Sequence, residues 1–158
     1  MCLTLTKNWE DVRQQLRGRQ EPIAAYKMLR VLDDGALESP DMGYKWEYGR
    51  NISGRDSVGL TKEEKKYGEV QKGLHLFRSW KDAAMLAQVA EHRSFFQVQV
   101  NPADIVAGGL WILGFLCIRI PSIVVTECIL QKEMKFRGAV SLGPAKTATV
   151  PNIIRGIR

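Results

Sequence analysis

Strand-like segments follow one another along this chain, and few of them are separated by a helix. Residues 23–32 (IAAYKMLRVL), 70–77 (VQKGLHLF) and 95–100 (FFQVQV) alternate apolar and polar side chains over all or part of their length, which is typical of half-buried strands. Residues 110–130 predict two further adjacent strands, or one strand interrupted near Pro121. Because parallel strands need a crossover connection, usually a helix, this order favours an α+β domain with a mainly antiparallel sheet.

About two helices are expected to pack on that sheet. Residues 6–17 predict the first, with Thr6 as its cap and one apolar stripe formed by Trp9, Val12 and Leu16. Ser79 can cap the second, whose expected core stripe is Ala83, Leu86, Ala87 and Ala90. Thr61 followed by Glu64 is a capping-box pattern and predicts a short exposed helix or turn.

Length and charge predict one domain with a basic extension. A chain of 158 residues with 45% apolar and 25% charged residues is ordinary for one globular domain. We expect a compact unit over residues 1–138, with a turn-containing link at residues 104–109, and a basic tail or arm over residues 139–158. Residues 131–158 hold six Lys or Arg against one Glu, so they supply +5 of the net charge of +6. A solvated tail and an arm that closes over an anion or a partner both fit this excess.

Cysteine usage and hydropathy predict a cytoplasmic protein without a metal or cofactor. The three cysteines, Cys2, Cys117 and Cys128, contain no C-x-x-C pair, which argues against a disulfide framework or a zinc site. Cys117 and Cys128 lie in apolar runs and are expected to be buried, inert thiols. The longest apolar run, residues 105–118, contains three glycines and is too short to span a bilayer. Buried strands explain this run better than membrane insertion.

Catalytic signatures are sparse. The chain contains no G-x-S-x-G segment, no Walker loop and no G-x-G-x-x-G segment. Its two histidines, His75 and His92, fall on different predicted elements with no spacing suited to a metal. We therefore predict no catalytic residues and no metal site, and we look for binding residues.

One candidate binding element is the segment G-L-H-L-F. Alternation puts His75 and Phe77 on one face of the strand and Leu74 and Leu76 on the other. If the leucines face the core, His75 and Phe77 face a cleft or solvent, where His75 could contact a phosphate or a base edge. The alternative is a core histidine that is bonded to a backbone carbonyl.

Aromatic and basic residues interleave in two other segments. Three aromatics alternate with cations in residues 44–50 (YKWEYGR), and such a strand could stack on a base and hold its phosphate. Alternation also explains an arrangement in which the aromatics form core and the charges face water, and this arrangement is the favoured one. Lys27 belongs to another basic, aromatic strand, but it cannot share a face with Arg30 if the strand is regular. The predicted ligand-binding set is Tyr26, Lys27, Tyr44, Lys45, Trp46, Tyr48, Arg50, His75 and Phe77.

The order of several short motifs gives a resemblance over about the first 130 residues. The motifs are Met1-Cys2-Leu3, Tyr26-Lys27, Ser39-Pro40, Trp46 to Gly49, Gly73 to Phe77 before Ala83, and a late apolar strand with charged neighbours, Cys117 to Glu127. In this order the chain resembles a group of small, uncharacterised proteins of phages and bacteria. The resemblance implies a single domain, supplies no established activity, and does not cover the basic tail.

Four functions remain open from the sequence. The leading hypothesis is a non-enzymatic binding protein for an anionic, nucleotide-like ligand. In the cell it would be a phage sponge, a protein that sequesters a host immune signalling nucleotide. The first alternative is a protein-interaction inhibitor of a host defence enzyme, anchored by an exposed aromatic patch. The second is an ADP-ribosyltransferase-like enzyme that uses His75, Tyr48 and Glu127. The third is direct DNA or RNA binding. A homodimer is also expected, since residues 105–130 are more apolar than a small sheet needs.

Overall fold

The fold is an α+β domain built on one large antiparallel sheet. The computed structural model describes residues 2–40, 43–90, 92–113 and 118–136. The elements are β1 (Leu3–Thr4), α1 (Trp9–Arg17), β2 (Ile23–Val31), β3 (Leu37–Glu38), β4 (Lys45–Trp46), β5 (Gly49–Ile52), α2 (Lys62–Tyr67), β6 (Glu69–Val70), β7 (Leu74–Phe77), α3 (Trp80–Val89), β8 (Ser94–Val100), a 3-10 turn (Pro102–Asp104), β9 (Ile105–Leu113), β10 (Ile118–Val125) and β11 (Glu127–Glu133). The predicted fold class is confirmed.

Over the described residues, the sheet has eleven strands and two recognisable halves. One half has the strand order β5-β11-β8-β2 and the other has the order β7-β10-β9-β1-β6. They meet at a single residue pair, Tyr26 opposite Phe77. At the outer side of β2, strand β3 pairs with β2, and β4 pairs with β3. This short three-stranded extension supports the candidate functional site.

Both halves contribute to one apolar core. Ala25 and Leu29 of β2 pack in the same buried cluster as Leu76 of β7 and Ile123 of β10, and Leu16 of α1 joins them. Helix α3 covers the opposite face of β2 and β7, where a second buried cluster contains Phe77, Ala83, Leu86, Phe95 and Ile120. Strand β7 is therefore covered on both faces.

Strand β9 replaces the link that was expected at residues 104–109. Gly108 and Gly109 lie within the strand, and each meets a neighbouring element closely. A Cβ at Gly108 would lie 2.8 Å from side-chain atoms of both Val12 and Leu16, and a Cβ at Gly109 would lie 2.3 Å from the carbonyl oxygen of Thr4. The glycines thus let α1 and β1 pack against β9. The turn prediction was wrong because it treated them as chain breakers.

The break within residues 110–130 also differs from the prediction. Pro121 lies inside β10, opposite Leu110 of β9, and its carbonyl oxygen accepts a hydrogen bond of 3.1 Å from the Arg78 amide. One change of strand lies between Leu113, the end of β9, and Ile118, the start of β10. A second lies at Thr126, whose amide donates to the carbonyl oxygen of Asp104. The strand tolerates a proline because its remaining backbone groups still pair with β7 and β9.

The predicted helices are present, but their first and last residues differ from the prediction. Helix α1 begins at Trp9, and the Thr6 hydroxyl donates to the Asn8 side chain instead of capping the helix. Ser79 caps α3 as expected, but Val89 takes the buried position predicted for Ala90, because the helix ends at Val89. The capping box of α2 is present.

Two cysteines lie in the described residues. Cys2 is exposed and Cys128 is buried, and burial raises the pKa of the Cys128 thiol to about 12, which confirms the expected inert thiol at this position. Cys117 and the predicted tail over residues 139–158 lie outside the described residues. Within the described ranges, no helix is long and apolar enough to cross a membrane.

Candidate functional site

Lys27, Trp46 and His75 come together, but they do so inside the protein. Lys27 and His75 are each only 6% exposed. The Lys27 ammonium donates a hydrogen bond of 3.1 Å to the carbonyl oxygen of His75 and lies 5.3 Å from the centre of the Trp46 ring. The His75 Nε2 atom lies 2.8 Å from the carbonyl oxygen of Gln71. This cluster agrees with the core-histidine alternative, in which the ring contacts a backbone carbonyl.

The expected open face for His75 and Phe77 is therefore wrong. Phe77 is fully buried, and its ring lies 5.4 Å from the ring of Trp111. Both side chains are covered because β7 lies in the middle of the sheet with packed residues on each side. A ligand could reach them only by displacing core residues. Tyr26 is half-buried and packs against the same cluster as Phe77.

The three alternating aromatics do not share one face. Tyr44 and Tyr48 are 64% and 60% exposed, whereas Trp46 is buried. Regular alternation fails because β4 is only two residues long and Gly49 then adopts a positive φ of 90°, a conformation that favours glycine. The Asn51 side chain fixes this turn, since it accepts from the Glu47 amide and donates to the carbonyl oxygens of Glu47 and Gly49.

Arg50 faces solvent and is engaged by Glu127. Two hydrogen bonds of 2.6 and 2.9 Å join the guanidinium to the carboxylate, and the bond from Arg50 lowers the pKa of Glu127. The residues of the transferase hypothesis thus occupy different settings: Tyr48 is exposed, Glu127 is held by Arg50, and His75 is buried.

A row of charged residues crosses the three-stranded extension. Arg30 of β2 lies opposite Glu38 of β3, and Glu38 lies opposite Lys45 of β4. Residues directly opposite each other in antiparallel strands project from the same face. The next pairs, Val31 with Leu37 and Leu37 with Trp46, place Leu37 and Trp46 in the core.

Arg93 extends this row on the other side of β2. Ser94, the first residue of β8, lies opposite Leu29. Arg93 directly precedes Ser94, and Arg30 directly follows Leu29. Both line an open depression of about 480 Å³, together with Asp33 and His92. We call Arg93, Arg30, Glu38 and Lys45 the basic row. With neighbouring strands about 4.8 Å apart, the row spans roughly 14 Å.

The basic row carries three cations and one carboxylate. Arg30 Nη2 donates to Glu38 Oε1, while the Arg30 Nε atom is buried without a hydrogen-bond partner among the described residues. His92 adopts a positive φ of 58° beside the depression, which is uncommon for a residue other than glycine. Arg93 donates to the carbonyl oxygen of His92 at 3.2 Å. Asp33 lines the same depression, so three cations stand against two carboxylates and the net charge is +1. This excess of positive charge favours an anionic ligand.

Tyr44 stands next to Lys45 at the outer end of the row. Its carbonyl oxygen accepts a hydrogen bond of 2.8 Å from the Ser39 amide, and the Gly43 amide donates to the Ser39 carbonyl oxygen at 3.1 Å. The backbone that presents Tyr44 is therefore held in place while its side chain remains exposed. An exposed tyrosine ring offers a stacking surface for a base.

The site in the structure shares Tyr44 and Lys45 with the predicted set and adds residues that sequence reasoning missed. Arg30, His92 and Arg93 were not among the predicted ligand residues. The turn Asp33-Asp34-Gly35 and the strand before it could have placed Arg30 opposite Glu38, but the approach of Arg93 depends on a strand more than 60 positions later. The expectation that Lys27 and Arg30 lie on different faces is confirmed.

A scan against protein-family models, a search of the curated proteins and a search of the solved structures each find no match to this chain. Among the residues that the structure describes, no group of three or more His, Cys, Asp or Glu side chains is placed to hold a metal ion.

Proposed function

We propose that this chain is a non-enzymatic binding protein for an anionic, nucleotide-like ligand, and that the basic row and its depression are the binding site. The observation that carries the proposal is the convergence of Arg30 and Arg93 on one depression, with Lys45 at the other end of the same row. The exposed Tyr44 is the neighbour of Lys45 in the sequence.

The chemistry of these residues suits phosphates and a base. The planar guanidinium of arginine donates two parallel hydrogen bonds to a phosphate or carboxylate, and it stays charged at every physiological pH. A tyrosine face can stack on any base. The backbones of Arg30 and Lys45 are fixed by paired strands, so both side chains start from defined positions on one face, which lowers the ordering cost of binding.

Calorimetric titration with ATP, ADP and pyrophosphate at low salt tests this proposal. Arg30→Ala and Arg93→Ala should each weaken binding about tenfold or more, since each removes a charge-assisted contact. The matched control is Arg119→Ala, which removes the same charge from an exposed position on β10. Circular dichroism checks that every variant is folded.

Two outcomes of the titration would overturn the site. In one, both variants bind every probe as the wild type does. In the other, Arg119→Ala weakens binding as much as Arg30→Ala, which would make the effect one of net charge. Binding of pyrophosphate that equals binding of ATP would place the affinity in the phosphates and exclude a contribution from Tyr44.

The biological form of this function is sequestration of a nucleotide signal. We propose that the protein acts in the host cytoplasm as a phage counter-defence sponge, an assignment supported by the resemblance of its motif order to small phage proteins. Sequestration requires a site that holds its ligand intact. A wild-type protein that converts the bound nucleotide to a product would contradict this form of the proposal and would favour the transferase alternative.

Protein interaction is the second candidate, and it is favoured by a different surface. On the outer face of β5 and β11, Ile52 lies opposite Glu127 and Ile129 lies opposite Arg50. Both isoleucines are exposed. Exposed apolar residues flanked by an ion pair resemble the centre and rim of a protein interface. Ile52→Lys should then abolish binding of a host defence enzyme while nucleotide binding is retained.

A homodimer stays a prediction, and analytical ultracentrifugation of the wild type tests it.

A further inference from the structure

We propose that Glu38 is an internal competitor for the ligand: it holds Arg30 in the ligand-free protein and moves to Lys45 when an anionic ligand binds Arg30. This inference rests on the proposed function, because it concerns the same site, and it assigns to Glu38 a regulatory role that binding alone does not require.

The geometry at Arg30 is that of an incompletely satisfied cation. Glu38 accepts from Nη2 of Arg30, and the adjacent Nε is buried without a hydrogen-bond partner in the described part of the chain. An unsatisfied buried donor is costly. A phosphate accepts from Nε and Nη2 together in the bidentate arrangement that arginine favours. Displacement of Glu38 would therefore let a ligand satisfy a donor that Glu38 leaves unused.

Glu38 has a second cation within reach. It lies directly opposite Arg30 on one side and directly opposite Lys45 on the other, and Cβ atoms of such opposite residues are about 4.5–5.5 Å apart. Lys45 is exposed and carries three donors on a flexible stem. The carboxylate can thus leave Arg30 without losing an ionic partner, which lowers the cost of its displacement.

Two consequences follow for binding. Glu38→Gln removes the competitor, so the affinity of this variant for pyrophosphate should rise roughly two- to fivefold, which corresponds to the loss of a partly buried ion pair that binding otherwise has to break. Lys45→Gln removes the alternative partner of Glu38, so it should weaken binding in the wild-type background more than in the Glu38→Gln background.

A double-mutant cycle with pyrophosphate as the probe tests both consequences. Calorimetry on the wild type, Glu38→Gln, Lys45→Gln and the double variant should give a Lys45→Gln effect at least twofold smaller when Glu38 is absent. Asp33→Asn is the charge control. Asp33 lines the depression, and this substitution removes the same negative charge as Glu38→Gln. It should raise affinity less than Glu38→Gln does.

The inference is overturned if Glu38→Gln binds pyrophosphate no more tightly than the wild type, if Lys45→Gln has the same effect in both backgrounds, or if Asp33→Asn matches Glu38→Gln. These failures are distinct from failure of the site itself. If Arg30→Ala leaves pyrophosphate binding unchanged, the proposed site is wrong. If Arg30→Ala weakens binding while Glu38→Gln does not tighten it, only the competitor role is refuted.

Discussion

Arg55 holds together the segment that joins β5 to β7. Its replacement should lower the free energy of unfolding more than the replacement of an exposed arginine does. All of its guanidinium nitrogens donate: to both carboxylate oxygens of Glu64 at 2.7 and 2.8 Å, and to the carbonyl oxygens of Ser57, Gly59 and Lys72 at 2.7–3.0 Å. The Arg55 side chain is only 6% exposed. One cation therefore satisfies acceptors from a loop, a helix and a strand connection.

Arg55→Met removes these five bonds and leaves the Glu64 carboxylate largely buried without its cation. Breaking a buried ion pair by removing one partner costs about 3–5 kcal/mol. We expect the lower end, about 3 kcal/mol, because the backbone amide of Thr61 still donates to Glu64. A typical domain has 5–15 kcal/mol of stability, so the variant should still fold. Urea denaturation followed by circular dichroism at pH 7 measures the change in the free energy of unfolding.

The chain offers a matched control in Arg50. Arg50 also makes two bonds to a glutamate, but its side chain is 65% exposed, and exposed ion pairs add little stability because water screens them. Arg50→Met should leave the urea midpoint nearly unchanged. The reasoning is refuted if the two variants lose the same stability, or if Arg55→Met costs less than about 1 kcal/mol.

The Arg55 effect should also depend on pH. The hydrogen bond from Arg55 lowers the pKa of Glu64 below its ordinary value of 4.5. An acid with a lowered folded-state pKa contributes stability that is complete above its unfolded pKa and is lost as the pH falls through the folded value. The stability gap between wild type and Arg55→Met should therefore be constant above about pH 5 and narrow below pH 4.5.

Three further predictions concern single positions. Gly73 has a φ of 132°, and a Cβ there would lie 2.3 Å from Val124 Cγ1, so Gly73→Ala should lower the free energy of unfolding by about 2 kcal/mol or more, measured by urea titration. In the folded protein at pH 8, iodoacetamide should modify Cys2 and leave Cys128 unmodified, because burial raises the pKa of Cys128 to about 12. Peptide mapping identifies the modified cysteine, and rapid labelling of Cys128 would contradict the prediction. Burial is the main cause of the raised pKa of Asp104, so the folded state disfavours its ionised form. Asp104→Asn should therefore raise the Tm at pH 7, and this gain should fall as the pH drops through that raised pKa.

Much of the fold is predictable from local patterns. The alternation in β2, the turn that follows it and the capping box of α2 each depend on neighbours within a few positions, and each prediction is confirmed. The first half of β9 was assigned to a link, although its glycines serve close packing by α1 and β1, which are distant in sequence. A glycine pair has the same local signature whether it bends the chain or admits a neighbouring element.

The site is less predictable because it depends on strand register. Alternation correctly separated Lys27 from Arg30, but it could not show that both faces of β7 are covered, which is what buries His75. Three members of the basic row lie on β2, β3 and β4, and they reach one face through the pairing of Arg30 with Glu38 and of Glu38 with Lys45. The fourth, Arg93, directly precedes β8. Single-sequence patterns contain no information on such non-local pairing.

Native mass spectrometry is the most direct test of the central claim, that the basic row binds an anionic, nucleotide-like ligand. The wild type, the double variant Arg30→Ala/Arg93→Ala and the control Arg119→Ala would be purified from cells with active nucleotide signalling, and any ligand would be released by denaturation and identified. The wild type and the control should carry an intact nucleotide, and the double variant should be empty. A double variant that keeps the nucleotide, or a wild type that carries a host polypeptide in its place, would contradict the claim.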